Sequence, residues 1–138
     1  MGLTEIATTD VETASEDTPI QDCLETMEDR SVGSIVVTEN GSPTGIVTDR
    51  MVALAMRDTD SIGEMTVGDV MTSDLVTADE DDTHFSVLET MRDEGIRRVP
   101  VVDGDELTAI ITLDDLLLVT GTELNYATEV IEQQARPQ

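Results

Sequence analysis

Leu24-Glu25-Thr26-Met27 recurs as Leu88-Glu89-Thr90-Met91, and this repeated tetrapeptide decides the fold. A shift of 64 residues aligns the two copies, and without a gap it also aligns identical residues elsewhere: Thr8 with Thr72, Asp10 with Asp74, Thr13 with Thr77, Ala14 with Ala78, Ile46 with Ile110 and Thr48 with Thr112. An identical tetrapeptide in register with these pairs indicates an internal duplication. The sequence therefore predicts two copies of one supersecondary unit.

Each copy contains an amphipathic helix. Apolar residues recur at helical spacing in the first copy at Ile20, Cys23, Leu24 and Met27, and the aligned positions of the second copy hold His84, Val87, Leu88 and Met91. Thr18 and Pro19 are typical of a helix start, with Thr18 as the cap and Gln21 completing a capping box. These positions predict that Cys23 is an inert core residue and that His84 is a partly buried packing residue.

Two short strands follow each helix. Runs of β-branched residues predict strands at 35–37 and 46–48 in the first copy, and at 99–102 and 110–112 in the second. Asn40-Gly41 and Asp103-Gly104 predict the hairpin turns between them. A second helix begins near Asp49 and near Leu113, and the last helix extends through Leu124, Ala127, Val130 and Ile131.

The predicted fold class is α/β (α+β), with two tandem β-α-β-β-α units that pack through their sheets. We expect the first unit to span residues 3–56, a linker 57–66, the second unit 67–120 and a C-terminal helical extension 121–138. The length of 138 residues leaves no room for a separate catalytic domain.

The charge balance is strongly acidic. The chain carries 31 Asp and Glu residues against 7 basic residues, all of them Arg, for a net charge of -24. Self-repulsion of this size is screened at molar salt, where the Debye length is about 3 Å, so the composition predicts a halophilic host. An acidic interaction surface is the alternative, but the acids are spread along the whole chain. Such a field disfavours nucleic acid and anionic membranes as partners.

The sequence predicts a cytoplasmic protein. No apolar run is long enough to span a membrane, and the N-terminus lacks the regions of a signal peptide. The single Cys23 cannot form an internal disulfide. Neither zinc-ligand spacing, nor a Gly-rich phosphate loop, nor a nucleophile elbow occurs, so we expect neither a metal site nor an enzyme.

Three segments together resemble the CBS domain, and the resemblance extends from Leu3 to about Val119. Val70-Met71-Thr72 is similar to the start of a CBS unit, the run from Arg97 to Asp103 to its middle strand, and the run from Gly45 to Arg50 to its strand-to-helix turn. The chain is thus identified as a stand-alone tandem CBS pair, also called a Bateman module. The resemblance implies a disc-like module, often a homodimer, that binds AMP, ADP, ATP or S-adenosylmethionine between its units and regulates another protein, here of unknown identity.

Thr112-Leu113-Asp114-Asp115 is the first candidate for the ligand site. From the residues alone, Thr112 and Asp115 are a helix cap, because the hydroxyl accepts an amide and the carboxylate suits the first turn. The resemblance implies that Asp115 accepts hydrogen bonds from both ribose hydroxyls and that Thr112 binds the sugar or phosphate. Met51 occupies the position aligned with Asp115, so we expect the corresponding cleft at Thr48 to be empty, weak or adapted to something else.

Arg97 and Arg98 are the only adjacent cations, and guanidinium groups match phosphate geometry. We favour Arg98, because alternation along a strand sends the two side chains to opposite faces. The alternative is that both neutralise nearby acids such as Asp93 and Glu94. Arg50 is a weaker candidate.

Apolar side chains are also needed, to form the walls of an adenine site. The candidates are Val76, Ile96, Val99, Pro100 and Ile110. Val76 and Val99 are favoured, and Ile110 is expected to belong mainly to the core. A structural dimerisation or partner-binding module without a nucleotide, and an S-adenosylmethionine sensor, remain the alternative functions.

Overall fold

The computed structural model of this chain describes residues 2–135. Six helices lie in this part of the chain: α1 (Leu3–Ile6), α2 (Ile20–Arg30), α3 (Asp49–Ala55), α4 (Val67–Val70), α5 (His84–Glu94) and α6 (Leu113–Ala135). The strands are β1 (Thr13–Ala14), β2 (Ser34–Glu39), β3 (Ser42–Thr48), β4 (Ala78–Asp79), β5 (Arg98–Asp103) and β6 (Glu106–Thr112). A single 3-10 turn, Ile62–Glu64, lies between the two repeats. The α/β prediction with two repeated units is confirmed.

The strands form two sheets with the same topology, in the orders β1-β2-β3 and β4-β5-β6. In each sheet the short first strand runs parallel to the middle strand, and the middle and last strands form an antiparallel hairpin. Asn40 and Gly41 have positive φ angles of 54° and 83°, as a two-residue hairpin turn requires. The first hairpin turn therefore lies at the predicted residues. The second turn is Gly104-Asp105, one residue later than predicted, because Asp103 still pairs with Glu106 at the end of the hairpin.

Each repeat has its own apolar core between sheet and helices. The first core contains Ile20, Cys23, Met27, Ile35, Val37, Val47, Val52 and Val67. The second contains Leu3, Ala78, Val87, Met91, Val99, Val101, Ala109, Ile111 and Leu116. Burial raises the pKa of the Cys23 thiol above its ordinary value, which keeps the thiol protonated. Cys23 is thus the buried core residue that its helical position predicts.

The middle strands are buried on both faces. Val36 and Pro100 occupy aligned positions and are fully buried. The residues on either side of each of them belong to the core between sheet and helices. The side chains of Val36 and Pro100 therefore point to the opposite face of each sheet. Strands β3 and β6 contact each other on this face, so the two units pack through their sheets as predicted.

The short helix that precedes each repeat packs on the other repeat. Leu3 of α1 is buried in the second core, and the aligned Val67 of α4 is buried in the first core. The residues after each helix continue this exchange. Thr8 forms a two-way backbone pair with Ile110 of β6, with N···O distances of 3.0 and 2.9 Å, and Thr72 pairs with Ile46 of β3. Residues 7–12 and 71–76, the first and second lead-in segments, are therefore exchanged between the repeats.

Two details of the predicted helices are wrong. Pro19, not Thr18, is the N-cap of α2, and the Thr18 hydroxyl instead accepts a hydrogen bond from the Ser15 amide in the preceding turn. Leu24 and Leu88 lie at the edge of their helical stripes and are 39% and 38% exposed. Between residues 2 and 135, none of the helices is both long and apolar enough to span a lipid bilayer.

Candidate functional site

A cleft of about 190 Å³ lies where the first lead-in segment crosses the end of β6. Because the sheets exchange their lead-in segments, this cleft has walls from both repeats. It is lined by Thr8, Asp10, Val11, Glu12, Val32, Gly33, Ser34, Arg98, Ile110 and Thr112. We call it the Thr112 cleft.

Thr112 and Asp115 form a reciprocal cap at the start of α6. The Asp115 amide donates to the Thr112 hydroxyl at 3.2 Å, and the Thr112 amide donates to Asp115 Oδ2 at 2.9 Å. The helix-cap reading of these two residues is therefore confirmed. Thr112 lines the cleft, whereas Asp115 faces the adjoining groove between α1 and α6. The carboxylate therefore accepts a hydrogen bond from a residue of the cleft, but it is not among the residues that line the cleft.

Arg98 is the first residue of β5 and Arg97 precedes the strand; both line a small hollow, but of the two only Arg98 also lines the Thr112 cleft. The half-buried Arg98 lines the Thr112 cleft and a smaller adjoining hollow of about 100 Å³. A Cβ atom added at Gly33 would lie 3.3 Å from Arg98 Nη2, so the guanidinium lies against the first repeat at this glycine. Arg97 is exposed and pairs with Asp114 at 3.7 Å. Its partner is thus Asp114 and not Asp93, which pairs with Arg92.

The structure reverses the expected order of the apolar candidates. Val99 is fully buried in the second core and Ile96 packs against that core, so neither side chain faces the cleft. Pro100 is fully buried between the sheets. Ile110 is buried, as expected, and it also lines the cleft, where it pairs with Thr8 of the first lead-in segment.

Val76 is not among the residues that line the Thr112 cleft. It belongs to the second lead-in segment, which crosses the first repeat at Ile46. The residue aligned with Val76 is Glu12, and Glu12 does line the cleft. The position predicted from the second copy therefore lines the cleft in the first copy, because the exchange of lead-in segments is not visible in the sequence.

The Thr48 end of the repeat has half of the same cap. The Met51 amide donates to the Thr48 hydroxyl at 3.1 Å, but the Met51 side chain cannot return a hydrogen bond and packs against the first core. Arg50 is exposed at the start of α3, where its amide binds the neighbouring Asp49 carboxylate. The two ends of the molecule therefore differ chemically, although their backbones are alike.

Most of the cleft wall from the first repeat was missed. Residues 10–12 and 32–34 carry no binding motif of their own. The signal that could have found them is the repeat itself, because Thr8 and Asp10 align with identical residues in the second copy. Two acidic residues of the cleft were also not predicted. Asp10 and Glu12 bring negative charge to the cleft, and Glu12 pairs with Arg30 at 3.5 Å.

The sequence model of the CBS domain matches residues 3–58 and 67–120, which is most of the chain. This chain belongs to the CBS domain family. It is similar to the CBS domain-containing protein YhcV of Bacillus subtilis, with 35% identity over 109 residues that cover 79% of this chain and 78% of YhcV. CBS pairs are regulatory ligand-binding domains.

Two further proteins are similar to most of this CBS pair. The inosine-5'-monophosphate dehydrogenase of Methanocaldococcus jannaschii is 36% identical over 117 residues, which cover 82% of this chain but only 22% of that enzyme. A CBS domain pair solved in complex with 5'-methylthioadenosine and S-adenosyl-L-methionine has a TM-score of 0.80 at 23% identity, covering 89% of this chain and 98% of that one. At 23% identity, the similarity to this solved CBS pair shows a shared fold.

Proposed function

We propose that this CBS pair is a regulatory module that binds an adenosine nucleotide, AMP, ADP or ATP, in the Thr112 cleft and catalyses nothing. The observation that carries the proposal is the grouping of three chemical functions at one cleft. Thr112 and Arg98 line it, and the Asp115 carboxylate accepts a hydrogen bond from the Thr112 amide beside it. The walls come from both repeats, so a bound ligand would change how the repeats hold each other.

The ribose would bind at the start of α6. Among residues 2–135, hydrogen bonds to the Asp115 carboxylate use Oδ2 alone. A carboxylate has about four acceptor positions on its two oxygens, so Asp115 retains the capacity to accept both hydroxyls of a sugar diol. Capping and ribose binding are therefore compatible roles. Val11, Val32 and Ile110 supply apolar wall for the base.

A phosphate would bind at Arg98. Within residues 2–135 this guanidinium forms no ion pair, whereas Arg97 is already paired with Asp114. Charge-assisted hydrogen bonds between a guanidinium and phosphate are roughly twice as strong as neutral ones. Arg98 is also half-buried, which reduces screening of its charge.

An adenosyl ligand without phosphate is the second candidate, and the acids of the cleft favour it. Asp10 and Glu12 both line the Thr112 cleft, and like charge at this range opposes a phosphate. A sulfonium such as S-adenosylmethionine carries a positive charge, which these carboxylates would attract. The CBS pair solved with S-adenosyl-L-methionine and 5'-methylthioadenosine supports such a ligand class for this fold.

Thermal unfolding in molar KCl, with AMP, ADP, ATP or S-adenosylmethionine added separately, tests the proposal. A ligand at about 100 times its Kd adds roughly 2.7 kcal/mol to the free energy of unfolding. Asp115→Asn keeps an oxygen for the cap but loses the charge, and we expect it to weaken binding roughly tenfold to a hundredfold. Asp114→Asn is the matched control, since it makes the same change at an exposed neighbour.

A second variant separates the two ligand classes. Arg98→Ser installs the residue that aligns with it, Ser34, and should weaken a nucleotide while leaving an adenosyl ligand without phosphate unaffected. If none of the four ligands shifts the unfolding of the parent protein, nucleotide sensing is abandoned and the chain is a structural or partner-binding module.

A further inference from the structure

Gly33 lies where Arg98 of the second repeat meets the first repeat. A Cβ atom added at Gly33 would lie 3.3 Å from Arg98 Nη2 and 3.5 Å from Asp49 Oδ2. The guanidinium and the carboxylate therefore lie around one point, and a small rotation of the long Arg98 side chain brings them together. A side chain at position 33 would crowd the guanidinium. Opposite charges from the two repeats thus face each other beside the Thr112 cleft.

Asp49 is held at this point by its backbone. Its amide donates to the Gly33 carbonyl oxygen at 3.1 Å, and the Thr48 cap fixes the start of α3. Oδ1 of Asp49 accepts the Arg50 amide at 2.7 Å, whereas within residues 2–135 Oδ2 accepts no hydrogen bond. The oxygen with free acceptor capacity is therefore the one that lies toward Arg98.

The second repeat has the same backbone arrangement with different side chains. Arg97 aligns with Gly33 and Leu113 aligns with Asp49, and the Leu113 amide donates to the Arg97 carbonyl oxygen at 2.9 Å. Because Leu113 satisfies this backbone bond equally well, the helix start does not require a carboxylate. An acid in the first turn favours the helix dipole, but that role does not require a glycine or a cation beside it.

A ligand phosphate and Asp49 would compete for Arg98. Asp10 and Glu12 also line the cleft, but neither forms an ion pair with Arg98 in the described part of the chain, and Glu12 is paired with Arg30. A guanidinium has donors for more than one acceptor. A phosphate and a carboxylate on the same guanidinium repel each other, however, so binding of one weakens the contact with the other.

We infer that Asp49 is a positioning residue that draws Arg98 toward the first repeat in the ligand-free protein, and that a ligand phosphate must take Arg98 away from it. The inference rests on the proposed nucleotide function of the cleft. It makes Asp49 a determinant of specificity, because Asp49 lowers the affinity for ligands with a phosphate and not for adenosine itself. Phosphate binding also frees the first residue of α3, which gives the ligand a route to the first repeat.

The first test needs no ligand. A double-mutant cycle of Asp49→Asn and Arg98→Ser, measured by urea unfolding at the lowest KCl concentration that keeps all four proteins folded, gives the coupling between the two side chains. Asn keeps the oxygen that accepts the Arg50 amide, and the loss of charge at a helix start cancels in the cycle. We expect the coupling to raise the folding equilibrium constant roughly twofold to fivefold. Absence of coupling would overturn the inference.

The second test compares AMP with adenosine by titration calorimetry in the same salt. Asp49→Asn should tighten the binding of AMP roughly twofold to fivefold and leave adenosine unaffected, because coupling between two sites is reciprocal. In the Arg98→Ser background the same substitution should not change AMP binding, since no guanidinium remains to compete for. Equal tightening in both backgrounds would assign the effect to direct repulsion between Asp49 and phosphate, and the inference would be wrong.

The two tests distinguish this inference from the proposed function. A parent protein that binds AMP but shows no coupling in the cycle keeps the nucleotide proposal and removes Asp49 from it. A parent protein that binds neither AMP nor adenosine refutes the nucleotide proposal, and the competition for phosphate is refuted with it. Coupling in the cycle would then identify a purely structural link between the repeats at Gly33.

Discussion

Ser31 ends α2 in the left-handed conformation, with φ of 53°. Gly95 occupies the aligned position at the end of α5, with φ of 67°. The two helices therefore end in the same way, but only one of them has the residue that adopts this conformation without a steric cost. For other L-residues the left-handed region costs roughly 1–2 kcal/mol.

Exchanging these two residue types should move stability in opposite directions. Ser31→Gly relieves the steric cost at the end of α2, partly offset by the greater freedom of glycine in the unfolded chain, and should raise the free energy of unfolding by about 0.5–1 kcal/mol. Gly95→Ser should lower it by a similar amount, although an added Cβ there meets no atom within 4 Å. Urea unfolding at fixed salt measures both, and shifts of the same sign would contradict the backbone argument.

At this scale the sequence predicts some site residues and not others. The Thr112 and Asp115 cap follows from a local pattern, and Arg98 was preferred to Arg97 on strand alternation; Thr112 and Arg98 both line the cleft. Val99 was preferred because the family resemblance implies that the middle strand lines the cleft, but the Val99 side chain is fully buried in the core. The sequence does not show which segment packs on each face of a strand, because that is decided by contacts between residues far apart in the chain.

The exchange of lead-in segments is a property of elements rather than residues. Each lead-in segment crosses the last strand of the other repeat. The two crossings differ in how closely segment and strand approach, and the crossing of the second segment over β3 is the closer one. At Gly45 of β3 an added Cβ would lie 2.6 Å from the Thr72 carbonyl oxygen and 2.7 Å from Met71 Sδ. The aligned position on β6 is Ala109, which is fully buried beside the smaller Ala7 segment.

Gly45→Ala should therefore destabilise the protein by about 1–3 kcal/mol, because the Thr72 backbone cannot move away without losing its pairing with Ile46. Urea unfolding gives the difference. Gly121→Ala is the matched control: an added Cβ meets nothing within 4 Å there, and in an exposed helix the change should raise stability by roughly 0.5–1 kcal/mol. A neutral or stabilising Gly45→Ala would mean that the second lead-in segment does not pass over β3.

Repeat, strands and long helices were predictable because their signals are local and occur twice. The exchange was not, since a four-residue helix such as α1 has one buried anchor, Leu3, and nothing in its pattern says which of two similar cores receives it. The repeat alignment makes Leu3 and Val67 equivalent positions. It does not say whether each of them packs in the core of its own repeat or in the core of the other repeat, because both arrangements treat the two positions alike. The composition of the cleft depends on this choice.

The whole molecule is dominated by unpaired negative charge. Ion pairs in the described part of the chain are few and involve exposed groups, such as Arg92 with Asp93 and Arg97 with Asp114. Exposed pairs contribute about 0–1 kcal/mol each, and the net charge of -24 remains after every Arg has been counted against an acid. The two small aliphatic cores must therefore hold the fold against a repulsion that only ions in solution can reduce.

Raising KCl from about 0.1 M to about 1 M shortens the Debye length from about 10 Å to about 3 Å, so the free energy of unfolding should rise with salt. Urea unfolding at several KCl concentrations gives the slope. Concentrated salt can also strengthen apolar burial, which does not depend on protein charge. A variant with Asn in place of the exposed Asp17, Asp29, Asp58 and Asp60 separates the two causes. If repulsion is the cause, this variant has a smaller slope and is more stable than the parent at low salt; equal slopes would assign the effect to apolar burial instead.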